Sequence, residues 1–191
     1  WIEVEERRDT DFARDEIIDQ LGKLEIFSEC SEEDLSQLAA AAQILSLNPP
    51  ACFYEPGEPS DGLYLTLDGN VALFERLDEE RVNEVKVENC PRGEIFGLQS
   101  FLGEAPRNYL AQAEQYSVVA HLPDRPMRGL MSERPEIKRR LKDALAARAH
   151  QREKNSQVAR KELIAALHAE ERRKLSEELR QNVSELLDRP T

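Results

Sequence analysis

A series of short β-rich runs between proline and glycine turns constrains the fold of this chain more than any other feature. Past Gln43 the hydrophobic period becomes that of strands, and four runs follow: ILSL, ACFY, GLYLTL and NVALFERL. Asp68-Gly69, between the last two, predicts a tight hairpin. Further strands are predicted through Val85 and Val87, over residues 109–113 and over residues 118–122. Strands at such short intervals predict a jelly-roll or barrel-like sheet and not a βαβ fold.

Helices are predicted on both sides of this β-rich segment. Apolar residues from Phe12 to Leu24 recur at helical spacing, and Ser31-Glu32-Glu33-Asp34 is a capping-box pattern for a helix running to Ala42. After the strands, Pro135 suits the first position of another helix. The predicted fold class is therefore α+β: a β-roll (jelly roll) with flanking helices and a long C-terminal helix.

The C-terminal helix is predicted to be long because residues 136–189 contain neither Gly nor Pro. As one helix it would measure about 80 Å. Asn155 and Ser156 are weak helix formers in a polar stretch, so two helices with a break at that point are the alternative.

Two apolar stripes run along this predicted helix. The first, expected to face the roll, contains Ile137, Leu141, Ala144 and Leu145. The second contains Leu163, Leu167, Leu175, Leu179, Val183 and Leu186. Six large aliphatic residues on one face rarely stay exposed, so we expect a homodimeric coiled coil or an inter-domain signalling helix. A solvated single helix is the simpler alternative, and the sequence leaves parallel and antiparallel pairing open.

The strongest candidate binding motif is a glycine-rich turn followed by an arginine, in RGEIFGLQSFLGEAPRNYLAQA (residues 92–113). Gly97 lets the backbone approach a ligand, and the N–H groups of Gln99 and Ser100, at the start of a short helical turn, can point at an anion. Arg107 follows Pro106, and its forked guanidinium can hold two phosphate oxygens.

This motif resembles the phosphate-binding cassette of cyclic nucleotide-binding domains, the family of the bacterial cAMP receptor protein and the regulatory subunits of cAMP-dependent protein kinase. Phe96-Gly97 and Pro106-Arg107 match the family pattern at its usual spacing. The run PGEPSDGLYLTLDGNV also resembles the family's second and third strands. The resemblance covers residues 24–147.

The resemblance implies a ligand and a role for each cassette residue. The ligand would be cAMP, cGMP or a cyclic dinucleotide. Arg107 would hold its phosphate, amides from Gly97 to Ser100 its other oxygens, and Asn108 or Tyr109 its base. The implied site comprises Phe96, Gly97, Leu98, Gln99, Ser100, Pro106, Arg107, Asn108 and Tyr109.

The cassette departs from the family pattern at one position above all. Leu98 stands where the family has a Glu that accepts a hydrogen bond from the ribose 2′-hydroxyl, and Asn108 and Tyr109 replace small residues. Burying that hydroxyl without a partner costs about 1–3 kcal/mol. One hypothesis is therefore a cyclic nucleotide sensor. The other is a degenerate dimerisation or docking module, in which Tyr109 fills the pocket or an internal carboxylate holds Arg107.

Composition bounds the remaining possibilities. The net charge is −12, although residues 148–191 hold ten Lys or Arg and eight Asp or Glu. The remainder is thus strongly acidic, which disfavours direct binding of DNA or RNA. A transcription regulator of the cAMP-receptor type would need a winged helix-turn-helix, for which the C-terminal residues lack the turn Gly and the aromatic residues. GxSxG, Walker A and HExxH motifs are absent, so we expect no enzyme.

The expected organisation is a linker and N-terminal helix at 1–22, a cyclic nucleotide-binding-like domain at 23–147 and a charged helix at 148–191. The chain starts at Trp1 without Met, so we expect a piece of a longer polypeptide with its output domain elsewhere. Three scattered cysteines, Cys30, Cys52 and Cys90, fit free thiols in the cytoplasm. No spacing of Cys and His predicts a metal site, and no apolar run predicts a membrane segment.

Overall fold

A computed structural model describes the backbone of residues 10–77 and 83–187, and the side chains of residues 13–77 and 83–181. Residues 1–9 of the predicted linker and N-terminal helix, and the side chains of Phe12, Val183 and Leu186, lie outside the described residues. The helices are α1 (Thr10–Lys23), α2 (Glu32–Ala41), α3 (Leu98–Gly103), α4 (Asp124–Glu133) and α5 (Pro135–Leu187), with a 3₁₀ turn at Glu25–Phe27. The capping box of α2 forms as predicted, with Ser31 and Asp34 exchanging hydrogen bonds.

The described strands are β1 (Gln43–Leu47), β2 (Cys52–Tyr54), β3 (Gly62–Asp68), β4 (Asn70–Arg76), β5 (Glu84–Pro91), β6 (Ile95–Phe96), β7 (Leu110–Ala113) and β8 (Ser117–Pro123). They form two four-stranded antiparallel sheets, ordered β1-β8-β3-β6 and β2-β7-β4-β5. The predicted α+β roll with flanking helices and a long C-terminal helix is confirmed.

The hairpin predicted at Asp68-Gly69 is wrong, because β3 and β4 belong to different sheets. Gly69 has φ +83°, as a tight turn requires, yet the turn is a corner that carries the chain from one sheet to the other. A Cβ on Gly69 would lie 2.4 Å from the backbone oxygen of Tyr116, so the corner also packs against the β7–β8 connection. The glycine was a correct turn signal, but it did not specify the strand pairing.

Strand β3 lies at the centre of the molecule and separates two hydrophobic clusters. Leu63, Leu65 and Leu67 pack with the helices, in a cluster that includes Ile137 and Leu141 of α5. Tyr64 points the other way, into a cluster between the two sheets. Because side chains alternate along a strand, β3 is buried on both faces, and the residues at its N-terminal end are held rigidly.

Helix α5 is continuous through Asn155 and Ser156, so the alternative of two helices does not hold. These two polar residues bind the second sheet: Asn155 Nδ2 donates to the Val87 carbonyl at 2.7 Å, and Ser156 Oγ donates to Glu75 at 2.6 Å. Leu163, which the sequence assigned to the exposed stripe, packs against the cluster between the sheets. The side of α5 facing the sheets therefore continues as far as Leu163.

Among the described strands and α-helices, the short strand β6 and the helix α4 were not predicted. Among the described helices, none has a stretch long and apolar enough to cross a membrane.

Candidate functional site

The side chain of Arg107 lies inside the roll and is only 1% exposed. Its backbone is held on both sides, because its N–H donates to the carbonyl of Glu58 and its carbonyl accepts from the N–H of Gly57, both at 2.7 Å. The chain at Arg107 is therefore fixed to the turn before β3.

Four hydrogen bonds from Arg107 end on groups of the same chain. Nη1 donates to the Gly97 carbonyl at 3.2 Å and to Ser100 Oγ at 2.9 Å. Nη2 donates to Asp61 Oδ1 at 2.7 Å and to the Gly62 carbonyl at 2.8 Å. The N–H at Nε has no partner among the described residues. Both terminal nitrogens are thus occupied, and these are the nitrogens that clamp a phosphate in a two-pronged contact.

Asp61 is the counter-ion of this buried arginine. Its carboxylate also accepts a hydrogen bond from the Tyr64 hydroxyl at 3.3 Å and lies 3.4 Å from His121 Nε2. The neighbouring His121 ring, followed by the Arg107 guanidinium, holds the pKa of Asp61 well below its usual range. Asp61 is therefore ionised at neutral pH. Its side chain is nevertheless 56% exposed, so it covers the guanidinium from the solvent side.

Aromatic rings surround the guanidinium on its other sides. Arg107 Cζ lies 4.4 Å from the centroid of Tyr54 and 5.4 Å from that of Tyr64, within the range of cation–π attraction. Tyr64 stacks on Phe96 with ring centroids 5.2 Å apart. Burial raises the pKa values of Tyr54 and Tyr64, so both stay neutral. These rings fix the arginine in place and leave little space beside it.

The predicted anion-binding turn is present as α3, but the Gly97 carbonyl and the Ser100 hydroxyl at its start accept hydrogen bonds from the protein's own Arg107. Gly97 begins the helix with φ +85°, and a Cβ there would lie 2.7 Å from Arg107 Nη1. Leu98 is 1% exposed and belongs to the cluster under the helices. Ser100 Oγ accepts from Arg107 and lies within hydrogen-bonding distance of the Gly97 carbonyl. Leu98 therefore offers the site no hydrogen-bond acceptor.

The space left between α3, Arg107 and α5 is a cavity of about 10 Å³. It is lined by Tyr54, Leu73, residues 97–100, residues 107–109 and Arg152. Pockets that hold small ligands are typically about 300–1,000 Å³, whereas about 10–15 Å³ accommodates one water. A nucleotide therefore does not fit this cavity unless its walls move.

Helix α5 supplies the wall that the sequence did not predict. Arg152 is 5% exposed, pairs with Glu88 of β5, and lies with its Cζ 5.4 Å from the ring centroid of Tyr109. Tyr109 is half-buried, and its pKa is raised by burial. Arg148 pairs with Glu94, and Arg160 pairs with Glu75 at 2.7 Å. A row of charged contacts thus holds α5 across the cavity.

Seven of the nine predicted site residues line this single cavity: Gly97, Leu98, Gln99, Ser100, Arg107, Asn108 and Tyr109. Phe96 lies instead in the core between the sheets, and Pro106 is exposed beside a separate surface groove.

The sequence reasoning missed Asp61, Tyr54 and Arg152. A buried arginine needs a carboxylate, but nothing in the sequence distinguishes Asp61 from the other acids. Within residues 10–77 and 83–187, no cluster of His, Cys, Asp and Glu has the geometry of a metal site.

Comparisons with known proteins agree with this fold. Residues 44–134 match the family model described as cyclic nucleotide-binding domain. No curated protein sequence matches the chain significantly.

Among solved structures, three similar ones have the same fold at low identity. The regulatory domain of Toxoplasma gondii PKA with cAMP is 18% identical with TM-score 0.63, and the match covers 71% of this chain and 51% of that one. The sensor domain of the transcriptional regulator DNR from Pseudomonas aeruginosa is 20% identical with TM-score 0.63, covering 73% and 92%. The regulatory subunit of a cAMP-independent protein kinase A from Trypanosoma brucei is 24% identical with TM-score 0.61, covering 71% and 48%. The chain thus spans about half the length of the two kinase regulatory chains.

Proposed function

We propose, on the premise that residues 44–134 belong to the cyclic nucleotide-binding domain family, that the chain is a non-catalytic regulatory module whose roll takes no cyclic nucleotide. In this proposal α5 joins two copies, and the output domain lies elsewhere in a longer signalling protein. One observation carries it: the guanidinium that would hold a cyclic phosphate already holds the Asp61 carboxylate at 2.7 Å.

The Asp61–Arg107 pair opposes nucleotide binding through charge. A phosphate entering the cassette would approach a second anion on the same guanidinium, and two like charges that share one cation repel each other. To bind, the phosphate would have to displace Asp61 and replace its contact with Nη2. The ribose 2′-hydroxyl would also face Leu98, which accepts no hydrogen bond. Burying that hydroxyl without a partner would weaken binding by a further ~1–3 kcal/mol.

The shape of the cavity supports the same proposal. A nucleotide would have to move Tyr109 and Arg152, and Arg152 is tied to Glu88, whose side chain is only 14% exposed. Separating a buried ion pair is costly because each charge loses its partner before it regains water. The pocket is thus closed by this chain's own residues on the solvent side and on the α5 side.

A second candidate, a true cyclic nucleotide sensor, is supported by one observation. The Asp61 side chain is 56% exposed and lies in the turn before β3, so the carboxylate has a route out to solvent. In that reading a nucleotide displaces Asp61, and α5 moves in response.

Isothermal titration calorimetry distinguishes the two candidates. We expect no heat of binding from cAMP, cGMP or a cyclic dinucleotide at concentrations up to about 1 mM. Titration to that concentration would detect even weak binding, with a binding free energy of about −4 kcal/mol. Saturable binding by the unmodified chain that is abolished in Arg107→Ala would overturn the proposal and establish the sensor.

Two variants sharpen this experiment. Asp61→Ala removes the internal counter-ion, so inorganic phosphate should raise its melting temperature more than that of the unmodified chain. Glu58→Ala removes an exposed carboxylate from the same turn and should respond to phosphate as the unmodified chain does. Circular dichroism of each variant checks that a silent titration comes from a folded protein.

A further inference from the structure

The Asp61 carboxylate has polar neighbours on two sides, and the arginine is on only one of them. On the other side, the Tyr64 hydroxyl lies 3.3 Å from both carboxylate oxygens. Oδ2 also lies 3.4 Å from Nε2 of His121, a buried ring nitrogen that makes no hydrogen bond within the described chain. Tyrosine, histidine and arginine thus converge on one exposed carboxylate, although an exposed carboxylate normally needs no partner but water.

The pairing of β3 with β8 places Tyr64 and His121 side by side. They are directly opposite one another on these antiparallel strands, and their ring centroids are 4.8 Å apart. Residues that are directly opposite on neighbouring strands point to the same face of the sheet. The backbone register therefore brings both polar groups to the same carboxylate. Their spacing is fixed by the sheet and does not depend on Asp61.

The backbone at Asp61 is fixed against the same strand. Gly62 begins β3 with φ +147°, and a Cβ there would lie 2.1 Å from the backbone oxygen of Leu122 in β8. Only glycine allows so close an approach. The Asp61 carbonyl also accepts a hydrogen bond from the N–H of Asp124 at 2.9 Å. The turn that carries Asp61 is therefore packed onto the end of β8, beside His121.

The charges around His121 favour a contact with Asp61. Among the described carboxylates, Asp61 is the one within ion-pair distance of the ring. The residue opposite His121 on β1 is the uncharged Gln43, and Tyr64 on β3 is kept neutral by burial, which raises its pKa. The other nearby cation, Arg107, contacts the other oxygen of the carboxylate. A protonated imidazole therefore gives Asp61 a second cation.

From these contacts we propose that Tyr64 and His121 are positioning residues, which together hold Asp61 on Arg107 where a phosphate would otherwise bind. We call these two residues the clasp. The inference rests on the proposed function, in which Asp61 occupies the arginine, and it names what keeps the carboxylate there. Water screens an ion pair that has one exposed partner, so the arginine alone holds Asp61 weakly. The clasp supplies the remaining stabilisation and thereby excludes other anions from the roll.

The pKa of Asp61, measured by carbon NMR of the side-chain carboxyl groups, reports the contact with His121. An ordinary imidazole is protonated in the acidic range where carboxyl groups titrate. His121→Gln keeps an N–H donor but removes the positive charge, so the pKa of Asp61 should rise by about 1 or more. Tyr64→Phe removes only a neutral donor and should raise it less. His150→Gln, at an exposed position of α5, is the matched control and should leave the pKa of Asp61 unchanged.

Entry of inorganic phosphate tests the consequence for the site. The double variant Tyr64→Phe, His121→Gln keeps the Asp61 carboxylate but lacks the clasp. Its affinity for phosphate, from the rise in melting temperature, should exceed that of the unmodified chain on the order of tenfold, as expected for the loss of hydrogen bonds to a charged group. Asp61→Ala is the reference for a site without its internal carboxylate. Circular dichroism checks that each variant is folded.

The outcomes separate this inference from the proposed function. A raised pKa of Asp61 in His121→Gln, together with phosphate binding by the double variant, supports the clasp. An unchanged pKa, or a double variant that excludes phosphate, overturns the clasp; the proposed function still stands if Asp61→Ala admits phosphate. Saturable binding of a cyclic nucleotide by the unmodified chain overturns the proposed function, and with it the exclusion that the clasp is inferred to provide.

Discussion

Asp61 Oδ1 lies 2.7 Å from Arg107 Nη2, and this contact joins two turns that are 46 residues apart in the chain. The two partners differ sharply in exposure, at 56% for the Asp61 side chain and 1% for that of Arg107. Consequently, removing one of these side chains has a different structural effect from removing the other. Removing the arginine leaves buried acceptors without a donor, whereas removing the carboxylate leaves a cation that still contacts three other oxygens.

Arg107→Ala should therefore destabilise the roll more than Asp61→Asn does. The variant leaves the Gly62 and Gly97 carbonyls without their side-chain donor and opens a cavity beside Tyr54. We expect a loss of about 3 kcal/mol in the free energy of unfolding, against about 1 kcal/mol for Asp61→Asn. Urea denaturation measures both values. Exposed Arg125→Ala is the control, and equal losses for Arg107→Ala and Asp61→Asn would contradict the asymmetry.

Gly97→Ala should be destabilising for two separable reasons. Its φ of +85° is unfavourable for any residue with a Cβ, and that Cβ would lie 2.7 Å from Arg107 Nη1. Four hydrogen bonds, two of them from Nη1, hold the Arg107 guanidinium in place. Gly57→Ala is the matched control, because Gly57 has φ +92° and nothing within 4 Å of the added atom. We expect about 1 kcal/mol for Gly57→Ala and about 3 kcal/mol for Gly97→Ala, measured by thermal or urea unfolding. Equal losses of unfolding free energy for the two variants would mean that the Arg107 side chain moves aside for the added Cβ at little cost.

The fold could be predicted from the sequence where local patterns are sufficient. Alternating runs identified seven of the eight described strands, and the Pro135 signal correctly placed the start of α5. Helix α4 was missed because its sequence, DRPMRGLMSE, contains a Pro and a Gly, which normally indicate a loop. The Asp68-Gly69 error arose because a turn signal specifies a backbone angle and not which strands pair.

The chemistry of the site could be predicted only in part. The spacing of Gly97 and Arg107 correctly indicated that these residues meet, since both lie in one continuous motif. The partner on the solvent side, Asp61, occupies a turn where a carboxylate is ordinarily just solvated, and its role arises only from the tertiary fold. Arg152 was hidden for the same reason: in a charged helix, no local pattern separates a buried arginine from the exposed ones.

Arg152→Ala should loosen α5 from the second sheet. Arg152 is 5% exposed and pairs with Glu88, so its removal leaves a carboxylate that is 14% exposed with Arg148 Nη1, 3.6 Å away, as its remaining cation. We expect a loss of about 2 kcal/mol in the free energy of unfolding, with faster hydrogen exchange in residues 148–163. Arg139→Ala, whose pair with Asp143 is about two-thirds exposed, should cost less than about 0.5 kcal/mol. Unchanged exchange in Arg152→Ala would show that the other polar contacts suffice to hold the helix.

The stabilisation supplied by Asp61 should depend on pH in a defined direction. The pKa of Asp61 is lower in the folded state, because of His121 and Arg107, than the value of about 3.9 expected in the unfolded chain. Its contribution is therefore fully present above about pH 4 and is lost as the pH falls towards the folded-state pKa.

The measurement is the difference in unfolding free energy between the unmodified chain and Asp61→Asn, taken from pH 7 to pH 2.5. We expect about 1 kcal/mol or less from pH 5 to pH 7, because solvent screens this half-exposed carboxylate, and a decrease below about pH 4. Glu58→Gln, in the same turn, should give a difference near zero throughout. A difference for Asp61→Asn that grows as the pH falls would mean that the carboxylate is not held ionised by Arg107 and His121.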